Sequence, residues 1–200
     1  MSFIYNAWSG RLARAQRFSW NPDGTPNFGF PIPAAIRLNV PSGEVGSTPQ
    51  KAFGGTGLRA QYFSSQGTTP SFTTPLATEN GQNVDVNWNM SSPHKVVPAD
   101  HFAVRWIGQI QPRYSGLYTF QTFADDGIRV SIDSKNVIDA FAPGTARATR
   151  GFIYLEAKRK YPLQVDYLEI EVAARASLYW QSENQAFEVV PRDCLFPPAN

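Results

Sequence analysis

Cysteine is nearly absent from this chain: Cys194 is the single one among 200 residues. No intrachain disulfide can form, and zinc sites built on cysteine are excluded. Cys194-Leu195-Phe196 is an apolar setting with no histidine close by in sequence, which suits a buried structural thiol better than a nucleophile. There are only 2 histidines, His94 and His101, in a loop-like stretch that is a poor basis for a metal pair. Charge is sparse and balanced, with 18 Lys and Arg against 16 Asp and Glu, a net of +2. No basic cluster is dense enough to follow a phosphate backbone, so nucleic acid is not an expected partner. Arg11, Arg14 and Arg17 read as a solvated basic face. No run approaches the ~20 apolar residues of a membrane helix. The start, Met1 to Trp8, lacks the basic residues, apolar core and small-residue cleavage site of a secretion signal. The expected location is therefore extracellular by a signal-less route, or the surface of a particle such as a virion. No Gly-rich phosphate loop, Ser/His/Asp set or metal-hydrolase motif occurs either.

What the chain has is turn formers and aromatics: 16 Pro, 15 Gly, 14 Phe, 8 Tyr and 5 Trp. That mixture suits an all-β domain. Prolines 22, 26, 31, 33, 41 and 49 crowd residues 1–56 and prevent long helices and central strands there. The same segment carries Phe3, Trp8, Phe18 and Trp20, apolar anchors that a solvated linker lacks. It is expected to be an extended N-terminal arm, docked on a neighbouring protein subunit, with a short helix over Ser9–Arg17. From Gly57 onward the pattern alternates as strands do. Leu58–Phe63, Val84–Trp88, Phe102–Ile110, Leu117–Phe123, Ile128–Ile132, Val137–Asp139, Phe152–Leu155, Tyr161–Leu168 and Ala176–Trp180 are the expected strands. Residues 64–81 read as loop, and Asp133-Ser134-Lys135-Asn136 as a tight hairpin. Short strands at this spacing predict an antiparallel β-sandwich or a closed barrel over residues 57–200.

Between two of those strands stands Phe123-Ala124-Asp125-Asp126-Gly127. Adjacent carboxylates repel, and each oxygen needs a cation or a donor to offset it. This acidic loop is the strongest candidate site in the chain. Its bland alternative is a structural loop whose carboxylates accept hydrogen bonds from the backbone and from Arg129 or Arg105.

Five segments, in order, resemble the anthrax protective-antigen-type (PA-fourteen) module. They are Gly57–Phe63, Phe102-Ala103-Val104-Arg105-Trp106-Ile107-Gly108, Ser115–Phe120, Ala124–Asp133, and Tyr161–Tyr167 with Leu178-Tyr179-Trp180. Residues 1–56 have no counterpart in that module. The resemblance implies a β-sandwich, generally non-enzymatic and often sugar-binding. In its lectin-like members the paired aspartates bind Ca²⁺, sometimes across a cis peptide, and the ion coordinates two sugar hydroxyls. Carried over, Asp125 and Asp126 would hold Ca²⁺. The later loop that supplies Asn or Asp in those members reads Leu168-Glu169-Ile170-Glu171-Val172 here, so Glu169 would complete the shell. Asp125, Asp126 and Gly127 would then form the glycan site, with Trp88 and Phe141 as stacking candidates. Trp106, Trp180 and Tyr118 fall where the family packs its core.

Catalysis is not expected. Glycosidase chemistry needs two carboxylates about 5–10 Å apart across a sugar, and the acidic pair is adjacent along the chain. The leading expectation is a non-enzymatic carbohydrate-binding or adhesion module, with Ca²⁺ as the cofactor that the resemblance implies. The alternative is a structural subunit of a phage virion or tail, or of an extracellular filament, held to its neighbours through residues 1–56.

Overall fold

The computed structural model describes residues 53–198 and, before them, 2–6, 13–17, 19–20, 23 and 25–27. The chain divides into two compact units, Met1–Gln50 and Lys51–Asn200. In the first, β1 (Ser2–Asn6) pairs antiparallel with β2 (Ala13–Arg17), and β3 (Ser19–Trp20) with β4 (Pro26–Asn27). The helix expected over Ser9–Arg17 is thus replaced, at Ala13–Arg17, by a strand. A helix of two turns is marginal alone, and pairing with Ser2–Asn6 satisfies the same backbone groups. Phe3 lies on β1 and Trp20 on β3, while Trp8 and Phe18 fall outside the described residues.

The second unit runs β5 (Leu58–Ser64), β6 (Ala77–Gln82), β7 (Asp85–Asn89), β8 (Phe102–Ile110), β9 (Gly116–Asp125), β10 (Gly127–Ile132), β11 (Lys135–Ala140), β12 (Arg147–Leu155), β13 (Tyr161–Glu169), β14 (Ala174–Ser182), β15 (Gln185–Val189) and β16 (Leu195–Phe196). Two antiparallel sheets result. One has the order β11-β10-β13-β8-β5-β6, with β16 also on β8. The other has the order β12-β9-β14-β15, with β7 on β14. All the expected strands are present. Residues 77–81, read from sequence as loop, lie in edge strand β6. Its Ala-Thr-Glu-Asn-Gly-Gln sequence lacks the apolar alternation that marks a strand, because an edge can leave that face to water. The expected tight hairpin is there, with Asp133 and Ser134 at φ +53° and +63° joining β10 to β11. Among the described residues no helix is long and apolar enough to cross a membrane.

The period of two explains the core. On β9, Tyr118, Phe120, Thr122 and Ala124 are buried while their neighbours are half-exposed or exposed. Tyr118, Phe120 and Ala124 form one apolar cluster with Trp106, Val104 and Phe102 of β8, Val165 and Tyr167 of β13 and Trp180 of β14. Trp106, Trp180 and Tyr118 are core residues, as expected. Each such side chain contributes roughly 1.5–3 kcal/mol by leaving water. Cys194 is fully buried, and burial pushes its thiol up to about 12, so it is a packing residue. At Gly151 the backbone of β12 comes so close to Val137 that an added Cβ would lie 1.8 Å from the Val137 carbonyl oxygen. The ends of the sandwich also meet: the Gly55 N–H donates to the Asp193 carbonyl at 2.9 Å and that of Gly57 to the Leu195 carbonyl at 3.0 Å.

Candidate functional site

The acidic loop lies at the end of the sandwich where the chain changes sheets. β9 belongs to one sheet and β10 to the other, and Asp126 is the single residue between them. So sharp a crossing needs an unusual backbone, and Asp126 sits in the left-handed region at φ +56°. Aspartate visits that region more readily than bulkier residues, because its short polar side chain bonds locally. The next residue has little room for a side chain: a Cβ on Gly127 would come within 3.2–3.3 Å of the Phe141 and Ala142 backbone, which would have to give by a few tenths of an ångström.

Asp126 is buried, and both its oxygens are engaged. Oδ1 accepts from the Gly144 N–H at 3.0 Å, and Oδ2 from the Ile170 N–H at 2.9 Å. The connection after β11 and the connection after β13 are thereby tied to the crossing point. The Ile170 carbonyl accepts from the His101 N–H at 3.1 Å, which brings in the segment before β8. The result is a platform of several loops fixed by main-chain hydrogen bonds. Asp125 is half-buried at its rim, and its Oδ1 accepts from the Asp126 N–H at 3.2 Å. Exposed on the β13–β14 connection is Val172 at φ +81°. A β-branched residue in that conformation is strained, and such strain persists where the surroundings impose it.

Glu169 lies at the end of β13 and is fully buried. Its Oε2 accepts from the Tyr167 hydroxyl at 2.7 Å, which itself accepts from the Arg175 N–H at 3.1 Å. Oε1 is buried without a hydrogen-bond partner among the described residues. Burial pushes the Glu169 carboxyl up to about 7, reinforced by the charges of Asp126, Asp125 and Asp100 and opposed by the Tyr167 bond. The phenol of Tyr167 is also driven upward, chiefly by burial.

The arginines expected to partner the acidic loop go elsewhere. Arg105 clamps Asp166 at 2.7 and 2.8 Å, and Arg129 pairs with Asp139 at 3.0 Å. In the register across β10, β13 and β8 these residues lie side by side, so the ladder satisfies them before the loop can. Backbone amides, not guanidinium groups, answer the charge of Asp126.

Asp125, Asp126, Gly127 and Phe141 come together at this end of the sandwich. Phe141 is half-buried, with its ring near that of Phe72 and the Arg129 guanidinium 4.9 Å from its centroid. Trp88 lies on β7 and points inward. Its ring stacks on Trp106 at 6.4 Å and 5°, and meets Phe102 edge-on at 5.7 Å. The strand position of Trp88 was legible, but not that its ring faces the other sheet. Two features of the platform were missed in the sequence: the amides of Gly144 and Ile170. No side-chain pattern signals a backbone donor.

For a cation, the chemistry of the donors is right and their number is small. All are hard oxygens, which suit Ca²⁺ and not softer metals. Among the described residues, no three Asp, Glu, His or Cys side chains are arranged to hold a metal. An ion here would rest on Asp125 and Asp126 with main-chain carbonyls. The peptide between the two aspartates is trans.

Comparison with known proteins gives a consistent family. The family model described as PA14 domain matches residues 54–193. A curated relative, the anti-sigma-I factor RsgI3 of Acetivibrio thermocellus, is 34% identical over 143 residues, which cover 72% of this chain and 22% of that protein. The solved structure of an anti-sigma factor domain-containing protein from Clostridium clariflavum is 33% identical with a TM-score of 0.66, covering 72% of this chain and 48% of that one. The PA14 sugar-binding domain of an RTX adhesin, 18% identical, aligns with a TM-score of 0.55 over 67% of this chain and 94% of that domain, and shows the shared fold alone. The chain thus spans about a fifth of the curated relative and about half of the solved bacterial chain.

Proposed function

The chain belongs to the PA14 domain family, and from that membership we propose that its sandwich is a non-enzymatic carbohydrate-binding module displayed outside the cell or on a particle surface. The observation that carries this reading is the platform around Asp126, where one buried carboxylate fixes two loops beside an accessible second carboxylate. A pre-formed loop cluster of that kind binds without first ordering itself. The sugar-binding domain named in the adhesin supports the ligand class. Asp126, with both oxygens on amides, is poorly placed for acid–base work, which favours binding over hydrolysis.

Calcium forms part of the proposal, through Asp125 and Asp126. When bound, Ca²⁺ would supply exchangeable coordination positions for vicinal hydroxyls of a neutral sugar. Glu169, buried behind Tyr167, would add charge beneath the site and not a ligand at its surface.

A second reading is favoured by the match to RsgI3. The same platform would then serve as the ligand-sensing part of a regulator in place of an adhesive. The particle-subunit alternative rests on an arm whose Trp8 and Phe18 lie outside the described residues.

An immobilised panel of neutral and acidic glycans, probed with and without chelator, tests the reading. A calcium-dependent part of the binding to neutral sugars with vicinal hydroxyls, removed by chelation and in Asp125→Ala, is the expected result. Binding that is absent, or that is the same with and without chelator and in Asp125→Ala, overturns the assignment to this platform.

A further inference from the structure

On the outward face of the larger sheet, away from the acidic loop, β8, β10 and β13 floor a groove of about 360 Å³. That is within the range of small-molecule sites, about 300–1,000 Å³. Ser131, Gln164 and Ile107 lie side by side across its three strands, with Pro162 beside Gln109 in the next row. Ser134 of the β10–β11 hairpin and Pro198 form its sides. Ser131 is four residues along β10 from Gly127, about 13 Å at ~3.3 Å per residue.

The polar groups of this groove are of two kinds. Gln164 donates its amide Nε2–H to Asp166 Oδ2 at 3.0 Å, and Asp166 is itself clamped by Arg105. A carboxylate can only accept, so the amide orientation is fixed and the carbonyl oxygen of Gln164 is left to accept. Ser131 donates its proton to Asn136 Oδ1 at 2.7 Å, so its oxygen is also left as an acceptor. Gln109 and Ser134 make no side-chain hydrogen bond among the described residues, and either can donate or accept.

Among the described residues, no Asp, Glu, Lys, Arg or His lines the groove. A carboxylate or phosphate would meet two fixed acceptors with no cation to offset its charge. An ammonium would find no carboxylate, since Asp166 is buried and committed to Arg105. The ligand that suits the site is neutral, rich in hydroxyl donors, and apolar on one face to lie against Ile107, Pro162 and Pro198. We propose that this groove binds a neutral saccharide, with Gln164 and Ser131 accepting hydroxyl protons and Gln109 and Ser134 adapting to the remaining hydroxyls. This site requires neither calcium nor a sugar at the acidic-loop platform, so either can fail without the other.

Amide NMR titration of the full chain tests it, with cellobiose, maltose, lactose and xylobiose as probes and galacturonic acid as the charged control. At least one neutral disaccharide should give saturable shifts at residues 107–109, 131–134 and 163–164, in the presence of chelator and unchanged in Asp125→Ala. Removing both adaptable groups in Gln109→Ala/Ser134→Ala should weaken binding at least about fivefold, in line with the usual worth of one or two hydrogen bonds. Gln109→Trp, which fills the groove, should abolish it. The proposal is overturned if no disaccharide gives saturable shifts there, if shifts are confined to residues 125–127 and 170–173, if galacturonic acid binds equally well, or if both variants bind as the parent does.

Discussion

Asp126 accepts a hydrogen bond from the Ile170 backbone N–H at 2.9 Å, joining the point where the chain changes sheets to the loop that follows β13. Its other oxygen does the same for Gly144. Asp126→Ala removes both acceptors and leaves alanine at φ +56°. The orphaned Ile170 amide costs about 1–3 kcal/mol, the amide of exposed Gly144 less because water can reach it, and the left-handed backbone adds roughly 1–2 kcal/mol. The expected loss is about 3 kcal/mol, with Asp126→Asn costing less because asparagine tolerates the backbone and keeps one acceptor. Urea unfolding measures both. A loss below about 0.5 kcal/mol in the alanine variant, the usual range for a surface change, would show that the carboxylate does not hold the loops.

Stability should fall as pH rises toward neutrality. The Glu169 carboxyl is pushed up to about 7 from 4.5, mainly by burial. Between those values the folded state binds more protons than the unfolded one, so each step up in pH costs stability. The contribution is complete below about pH 4.5 and lost above about pH 7, and the full span is worth up to about 3 kcal/mol. Glu169→Gln, which still accepts from Tyr167, should be flat across this window and more stable than the parent at pH 8. Thermal melts from pH 4 to 8 in chelator check this. A parent whose stability rises over that window contradicts it.

Calcium should raise the melting temperature by mass action. At a hundred times its dissociation constant a single-site ligand adds about 2.7 kcal/mol. Asp125→Asn removes a charged ligand and should erase the shift, while Gln109→Ala should retain it. If chelator leaves the melting temperature of the purified protein unchanged, the aspartates serve the loops alone.

Residues 51–200 should fold without the segment before them, since each of the two units is compact in itself. The truncated protein should match the parent's unfolding free energy for the sandwich within about 0.5 kcal/mol. A fall in solution mass beyond that of the deleted residues would identify the N-terminal unit as a connector between copies. An unfolded product would mean that the sandwich depends on it.

The sequence exposed the fold where burial is one-sided. Alternation along Phe102–Ile110 and Leu117–Phe123 marks strands because one face must be apolar and the other not. It failed at Ala77–Gln82, an edge with no such contrast, and at Ala13–Arg17, where pairing with a distant segment outweighs a weak local pattern. At the site, Asp125-Asp126-Gly127 was visible because adjacent like charges are costly. The donors that settle that cost were not, since main-chain amides look alike in every sequence. Arg105 and Arg129 were legible as cations but not as partners of Asp166 and Asp139, because cross-strand register is set by the whole sheet.

The bonds from Gly55 to Asp193 and from Gly57 to Leu195 have a consequence for how such a module travels between proteins. Its entrance and exit stand side by side, so a host chain can leave at one point, build the sandwich and resume almost where it left off. A surface loop of a larger protein could accept the whole unit as a cassette with little disturbance to the host fold. A domain closed at its own base can change hosts without changing shape.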